Sequence, residues 1–245
     1  MVWDDPAVRW DVYDLVLIRS TWDYSPRRDA FVAWAEGVGA PLHNPAEVVR
    51  WNTDKRYLAE LQDAGLPVVP TTFLAPGDAV SVPDGRCVVK PAVSAGSQNT
   101  ASHRNPLAAA AHAQRLIDEG RVVMVQPYVS EIDEQGETAL IYFDGAFDHA
   151  IRKAPILTGG EAPVEGLFAP ENIQPREPRP EERAVAESVV AEVERRFGRL
   201  LYIRVDVVGN EPAVLELELT EPSLFFSHSP GSAARFAEAV RRRAA

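Results

Sequence analysis

The chain has 245 residues, a net charge of −11 and a pI near 5.0, and 46% of its residues are hydrophobic. That much apolar material builds a sizeable core and excludes wholesale disorder. The acidic balance argues against nucleic acid or an anionic membrane as the main partner, although a small anionic ligand needs only a few local cations. Cys87 is the single cysteine, so no intrachain disulfide forms. No apolar run is long enough to span a membrane, and the N-terminus lacks a signal-peptide pattern. The expected setting is the cytoplasm.

Residues 13–19 are a near-continuous apolar run that predicts a strand buried on both faces, as in a parallel sheet. Ser25-Pro26 reads as a cap and first helical residue, opening a helix to about Val38. The chain begins just before this α/β unit, so the N-terminal layer is expected to be partial, with an edge that a second copy of the chain could cover. Thr53 is expected to cap a helix that ends at Gly65, with Lys55 in its first turn. Strands follow at residues 68–73 and 86–90, then a turn with Gly96 and three serine or alanine neighbours. Asn105-Pro106 caps a helix running to Gly120, and residues 121–125 form a strand. Residues 138–143 and 146–152 predict a hairpin around Asp144-Gly145. Residues 154–180 are a long, proline-rich loop of the kind that serves as a lid. A strong helix covers 183–197, a second hairpin pairs 200–208 with 213–219, and a helix closes the chain at 233–243.

The last hairpin carries the most chemistry. Alternation puts Arg204 and Asp206 on one face, and Glu216 and Glu218 on the matching face of the next strand. The apolar faces must coincide, so the polar faces coincide too, which requires an odd loop near Gly209, for instance three residues. Asp206 then lies opposite Glu216, and Arg204 opposite Glu218. Each acid taken singly is an ordinary surface charge. Three carboxylates together repel, and a hard divalent cation such as magnesium removes the conflict.

Cations come earlier in the chain. Lys55 is poorly placed for a helix dipole, and Lys90 is delivered by a buried-type strand to the glycine-bearing loop. In that loop Ser94, Gly96 and Ser97 offer hydroxyls and backbone N–H groups to phosphate. The spacing matches neither a Walker A loop nor a dinucleotide fingerprint. Gln126, Pro127, Tyr128 and Val129 follow a strand, and the proline is expected to break the ladder and leave backbone groups free for a purine. A plain strand end fits them equally. Glu137 is expected opposite Arg152, either as a cross-strand pair or to hold ribose hydroxyls. Arg19 and residues Thr21, Trp22 and Asp23 lie beyond a strand's C-terminal end, where α/β sheets place ligands. Arg19 would hold a carboxylate there or pair locally with Asp23. His103 and His228 are weaker substrate-contact candidates. The other histidines, Cys87 and Trp10, Trp34 and Trp51 read as structural.

In this order, the pieces resemble the ATP-grasp superfamily, and its glutathione synthetase-like branch in particular. The resemblance rests on Asn52-Thr53-Asp54-Lys55, Val88-Val89-Lys90-Pro91, residues 94–98, residues 126–129, Glu137, and the closing Arg-x-Asp and Glu-x-Asn pattern. Glu218 departs from that pattern, standing at the asparagine position. Residues 18–24 and 50–55 are similar to a group that includes a cyclo-ligase making D-cycloserine from O-ureido-D-serine.

The resemblance implies an α/β (α+β) ATP-grasp fold, with two subdomains gripping ATP after a truncated N-terminal layer. The expected boundaries are 1–51, 52–125 and 126–245. Lys55 and Lys90 would bind phosphate under the residue 94–98 loop, residues 126–129 would hold adenine, and Glu137 the ribose. Asp206, Glu216 and Glu218 would carry two magnesium ions, replaceable by manganese, and Arg204 and Lys90 would be catalytic. Arg19, Thr21, Trp22, Asp23, Arg152 and Ser223 are the substrate-side candidates. The implied reaction joins a small carboxylate to an amine through an acyl phosphate, releasing ADP and phosphate. The rival expectations are an ATP-binding module without chemistry and a phosphotransferase that stops at the phosphorylated product.

Overall fold

In the computed structural model, which describes residues 1–155 and 172–244, the first apolar run yields only a two-residue strand, β1 (Val16–Leu17). A 3-10 turn over Trp22–Arg27 absorbs Ser25 and Pro26, and regular helix α1 (Arg28–Gly37) starts only after it. Pro26 cannot donate a backbone hydrogen bond, which suits the tight turn rather than a helix interior. Strand β2 (Leu42–His43) runs parallel to β1, with Val16 opposite Leu42. Trp3, Phe31 and Val32 pack with Ile18 and Val38 between these elements.

Helix α2 (Ala46–Asn52) has no counterpart among the sequence expectations. Thr53 closes it rather than capping the next one: its hydroxyl donates to the Val49 carbonyl at 2.7 Å. Helix α3 (Tyr57–Asp63) follows. Lys55 therefore sits in the link between two helices, and its backbone N–H is pinned to the Ala92 carbonyl at 2.9 Å.

A four-stranded antiparallel sheet comes next, built from β3 (Thr72–Leu74), β4 (Cys87–Pro91), β5 (Ala101–His103) and β6 (Val123–Pro127) in the order β3-β6-β4-β5. Helix α4 (Pro106–Asp118), capped by the Asn105 side chain, lays Ala109, Ala113, Leu116 and Ile117 on one face, against Cys87, Val89 and Val125. Cys87 is core, as its alternation predicts.

After the short helix α5 (Ile132–Gln135), strands β7 (Glu137–Phe143) and β8 (Ala146–Lys153) form the expected hairpin. Its turn residues, Asp144 and Gly145, have φ of 51° and 79°. Glycine suits the second of these because its left-handed conformation strains any other side chain, and a Cβ at Gly145 would also displace Glu194 Oε1, 2.5 Å away. β9 (Ile173–Arg176) adds to β8, α6 (Pro180–Phe197) crosses the sheet, and β10 (Tyr202–Val208) and β11 (Ala213–Glu218) complete it in the order β11-β10-β7-β8-β9. Ala186, Val189, Val190 and Val193 of α6 pack on Leu140, Ile203, Val205 and Val207. Burying each valine contributes about 1.5 kcal/mol or more. Helix α7 (Ser232–Ala244) covers part of the opposite face with Phe236 and Ala239.

Buried asparagines tie the N-terminal unit to this sheet. Asn44 donates to the carbonyls of Tyr202 and Leu219 at 2.9 and 2.7 Å and accepts from Leu201 N–H at 3.0 Å. Asn52 donates to Leu217 O at 2.8 Å and accepts from Leu219 N–H at 2.7 Å. Among the described residues, no helix is long and apolar enough to cross a membrane.

Candidate active site

The final hairpin has the predicted register, Arg204 opposite Glu218 and Asp206 opposite Glu216, but reaches it differently. The connection after Val208 is four residues long, and a bulge between Asp206 and Val207 supplies the odd count. The bulge leaves Leu215 without a partner and turns it into the cleft, whereas the sequence reading put it in the core with Leu217. The charged face of β10 is not solvated: all seven residues of the strand are buried, Asp206 completely.

A second bulge decides the first hairpin. A regular two-residue turn would set Glu137 opposite Arg152. The register shift at Ile141/Tyr142 sets it opposite Lys153 instead. Gly136, at φ 71°, makes the approach possible, because a Cβ there would lie 2.3 Å from the Lys153 carbonyl. Lys153 Nζ then bridges Glu137 Oε2 and Asp206 Oδ2, each at 2.7 Å. Arg152 is displaced from the site and donates to the Gln135 and Glu134 carbonyls at the end of α5.

Glu137 and Lys153 line one cleft between the two larger sheets, with about 1490 Å³ of free space, part of it open to solvent. One end is formed by Ser94, Gly96 and Ser97, by Gln126, Pro127, Tyr128 and Val129, and by Glu137. Lys55 and Lys90 stand together in the middle with Lys153, Arg204, Glu216 and Glu218. Trp22, Tyr24, Glu221, Ser223 and Phe225 close the other end. Pro127 does not break the ladder as expected: it pairs with Cys87, and Tyr128 N–H donates to the Arg86 carbonyl at 2.9 Å.

Arg204 grips Asp206 with two hydrogen bonds of 2.9 Å and also contacts Glu218. Lys55 Nζ donates to the Ser94 carbonyl at 2.8 Å and lies 3.2 Å from Glu216 Oε1. Burial alone would push Asp206 and Glu216 up. Arg204 and Lys153 hold Asp206 below the usual carboxylate range, and Lys55 and Lys90 do the same for Glu216. Burial pushes Lys90 below its ordinary range, with Glu216 working against it. Glu218 is pushed up to about 7, first by burial and then by Glu216 and Asp206, although Arg204 opposes this. Glu221 is pushed up to about 8 by burial and by Glu218.

The carboxylate repulsion that called for a metal is thus largely answered by the protein's own cations. Among the described residues, no three acidic, histidine or cysteine side chains stand together as a ready-made metal cage. The residues nevertheless fit magnesium, which typically takes one or two carboxylates and completes its shell with phosphate and water. Glu216 and Glu218 supply hard oxygen donors, and burial, which holds the Glu218 carboxyl above its ordinary range, is a cost that a bound cation would offset. Both oxygens of Asp206 are engaged by Arg204 and Lys153.

The comparisons with known proteins agree with this geometry. Residues 1–44 match the family model described as the N-terminal domain of D-cycloserine synthetase DcsG. The cycloserine biosynthesis protein DcsG of Streptomyces lavendulae is 38% identical over 98% of this chain and 87% of its own length. The chain belongs to the DcsG family of ATP-grasp ligases. A crystal structure of D-cycloserine synthetase DcsG superposes with a TM-score of 0.89 at 35% identity, over 99% of this chain and 88% of that one. The D-alanine–D-alanine ligase of Bacillus anthracis, in complex with ATP, gives 0.67 at 14% identity, over 98% and 84%. The ATP-grasp ligase PsnB gives 0.58 at 17% identity, over 94% and 79%. These two share the fold. As a member of the DcsG family the chain is an ATP-dependent ligase; its ligase relatives act on small molecules, and magnesium use is typical of such ligases.

Not every expected residue meets at the cleft. Arg19 donates to the Pro222 carbonyl at 2.7 Å rather than pairing with Asp23, which pairs with Arg27. Arg19, Thr21, Asp23, Arg152, Asp206 and His228 are absent from the lining, Asp206 because it is fully buried, and His103 is buried against His112 at 2.9 Å. The sequence reading missed Lys153, Glu221 and Phe225, while Tyr24 and Asn52, which fell within segments it singled out, also line the cleft. The bulge that delivers Lys153 left no mark in the alternation pattern, but Glu221 had one: an acid three residues past Glu218, beside a proline. The segment expected to act as a lid falls largely outside the described residues.

Proposed function

We propose that the chain activates the carboxylate of a small amino-acid-like substrate as an acyl phosphate and then closes a C–N bond to an amine nitrogen. The observation that supports this most is the convergence of Lys55, Lys90, Lys153 and Arg204 on Glu216 and Glu218 in one cleft. Such a site can spread the charge of a transferring phosphoryl group without covalent help from the protein.

In this reading, residues 126–129 flank the adenine and Glu137, held by Lys153, faces the ribose. Lys55 and Lys90 neutralise phosphate oxygens, and the turn at Ser94, Gly96 and Ser97 offers N–H groups over them. Glu216 and Glu218 would hold magnesium, with Asp206 joining them if Lys153 releases one of its oxygens, and the ion, or manganese in its place, would supply neutralising charge to phosphate oxygens. A carboxylate oxygen of the substrate attacks the γ-phosphorus, the bond to the β-phosphate oxygen breaks, and ADP leaves. Arg204, whose Nη1 is only loosely held by the Ser223 carbonyl at 3.4 Å, stabilises charge on the acyl phosphate and on the later tetrahedral oxyanion. The amine nitrogen then bonds to the carbonyl carbon, loses its proton, and displaces phosphate.

D-Cycloserine formation, named for the relative DcsG, makes O-ureido-D-serine the first substrate to test, and the cytoplasm, where ATP is available, the expected setting. The assay incubates the protein with Mg–ATP and O-ureido-D-serine. It follows nucleotide products by chromatography and D-cycloserine by mass spectrometry. Substrate-dependent ADP and phosphate with a cyclised product are expected, and because the nitrogen that closes the ring carries a carbamoyl group, reaching D-cycloserine also consumes a water and releases that group as carbon dioxide and ammonia. AMP and pyrophosphate would overturn the acyl-phosphate route. A phosphorylated product without ring closure would make the chain a phosphotransferase, and ATP binding without turnover a regulatory module.

A further inference from the structure

Glu221 does none of the work assigned above. It lines the substrate end of the cleft beside Trp22, Tyr24 and Phe225, yet it is only 9% exposed. Among the described residues its carboxylate has no hydrogen bond or ion-pair partner. The backbone around it is pinned. The Thr220 carbonyl accepts from Tyr202 Oη at 2.8 Å, the Thr220 hydroxyl meets Asn52 Oδ1 at 3.3 Å, and the Pro222 carbonyl accepts from Arg19 at 2.7 Å. Glu221 is therefore held facing the cleft rather than relaxing into bulk water.

A carboxylate kept mostly out of water without a partner is costly, so it points to a partner that arrives from outside. Of the cations that act on Glu221, Lys55 is engaged by Glu216, Arg204 by Asp206 and Glu218, and Arg19 donates to the Pro222 carbonyl at 2.7 Å. A buried carboxylate beside aromatic faces is a receptor for an ammonium group, which gains both a charge-assisted hydrogen bond and attraction to the rings. We propose that Glu221 binds the cationic amino group of the substrate while Arg204 meets the carboxylate being activated, so that the cleft selects a zwitterion over an acid lacking an ammonium. The inference rests on the carboxylate-activating reading above and adds to it the residue that reads the amino group.

The test compares O-ureido-D-serine with its deamino analogue, 3-(ureidooxy)propanoate, in the wild type and in Glu221→Gln and Glu221→Asp. Binding is measured by calorimetry and turnover by ADP release. The wild type should prefer the zwitterion by about 10- to 100-fold in Kd and KM. Glu221→Gln should erase that preference by weakening the zwitterion alone, with KM for ATP and the magnesium requirement unchanged, and Glu221→Asp should restore part of it. An intact preference in Glu221→Gln would overturn the assignment. So would an equal fall in kcat for both compounds, a changed magnesium requirement, or failure of the wild type to bind the zwitterion. Discrimination seen in calorimetry without ADP release would uphold Glu221 as the ammonium receptor and refute the ligase chemistry instead.

Discussion

Replacing Lys153 by methionine keeps most of the side-chain volume and removes one charge from a site that is 9% exposed. Two charge-assisted hydrogen bonds of 2.7 Å disappear, one to Glu137 and one to Asp206. Such bonds contribute about 1.5–3 kcal/mol each, and removing one partner of a buried pair costs about 3–5 kcal/mol. Asp206 is fully buried but keeps both hydrogen bonds from Arg204, which puts the expected loss near the lower end, about 3 kcal/mol. For a chain of this size that is a fall in Tm of roughly 6–12 °C.

The sign with pH follows from the two shifts. Asp206 is held below its ordinary value, so its contribution is present above the unfolded pKa of about 3.9 and lost as pH falls through the folded value. Lys153 is held above its ordinary value by Asp206 and Glu137, despite burial. Its contribution is therefore present below the unfolded pKa of about 10.4 and lost as pH rises through the folded value. The deficit of Lys153→Met should be flat from about pH 5 to about pH 10 and narrow on either side, in stronger acid as Asp206 takes up its proton and in stronger base as Lys153 loses its own. Urea unfolding by circular dichroism measures it, and a cycle with Asp206→Asn isolates the pair. A loss under about 1 kcal/mol, or a coupling within about 0.5 kcal/mol of zero, would refute the reasoning.

Glu216→Gln should abolish magnesium-dependent ADP release while the circular dichroism spectrum and Tm stay close to those of the wild type; wild-type rates would remove Glu216 from the metal site. Asn44→Ala deletes three buried hydrogen bonds between the N-terminal unit and the last sheet. It should cost about 3 kcal/mol in urea unfolding, and an unchanged midpoint would show that the two units hold together without it. Glu221 has a folded pKa of about 8 against an ordinary 4.5, so ionisation is penalised in the fold and stability falls as pH rises through that window. Glu221→Gln should therefore gain in Tm over the wild type between about pH 5 and about pH 9. A constant difference across that range would contradict the burial-driven shift.

Much of the fold was legible where the local signals were strong and agreed. The alternation in residues 202–207 and 215–219 predicts the pairing of Arg204 with Glu218 and of Asp206 with Glu216 that the fold shows. Asn105-Pro106 and Asp144-Gly145 marked a cap and a turn because each needs a backbone conformation that few residues adopt. Thr53 misled because a threonine hydroxyl serves equally well at the end of one helix or the start of the next. Arg19 and Asp23 had plausible local partners in sequence, and long-range packing gave each a different one.

By itself the sequence determined which residue types the site contains, the face each strand shows, and the order of lysine-, glycine- and acid-bearing segments that resembles the ATP-grasp ligases. Those properties are periodic or local, so a few residues of context suffice. The tertiary structure alone decided that Lys153 rather than Arg152 meets Glu137, that the acidic face of β10 is buried beneath its own cations, and that Glu221 is held without a partner. Each depends on a bulge, or on backbone anchored from distant segments. A one-residue shift of register or a carbonyl pinned many residues away changes which charge faces which, without changing the pattern along the chain.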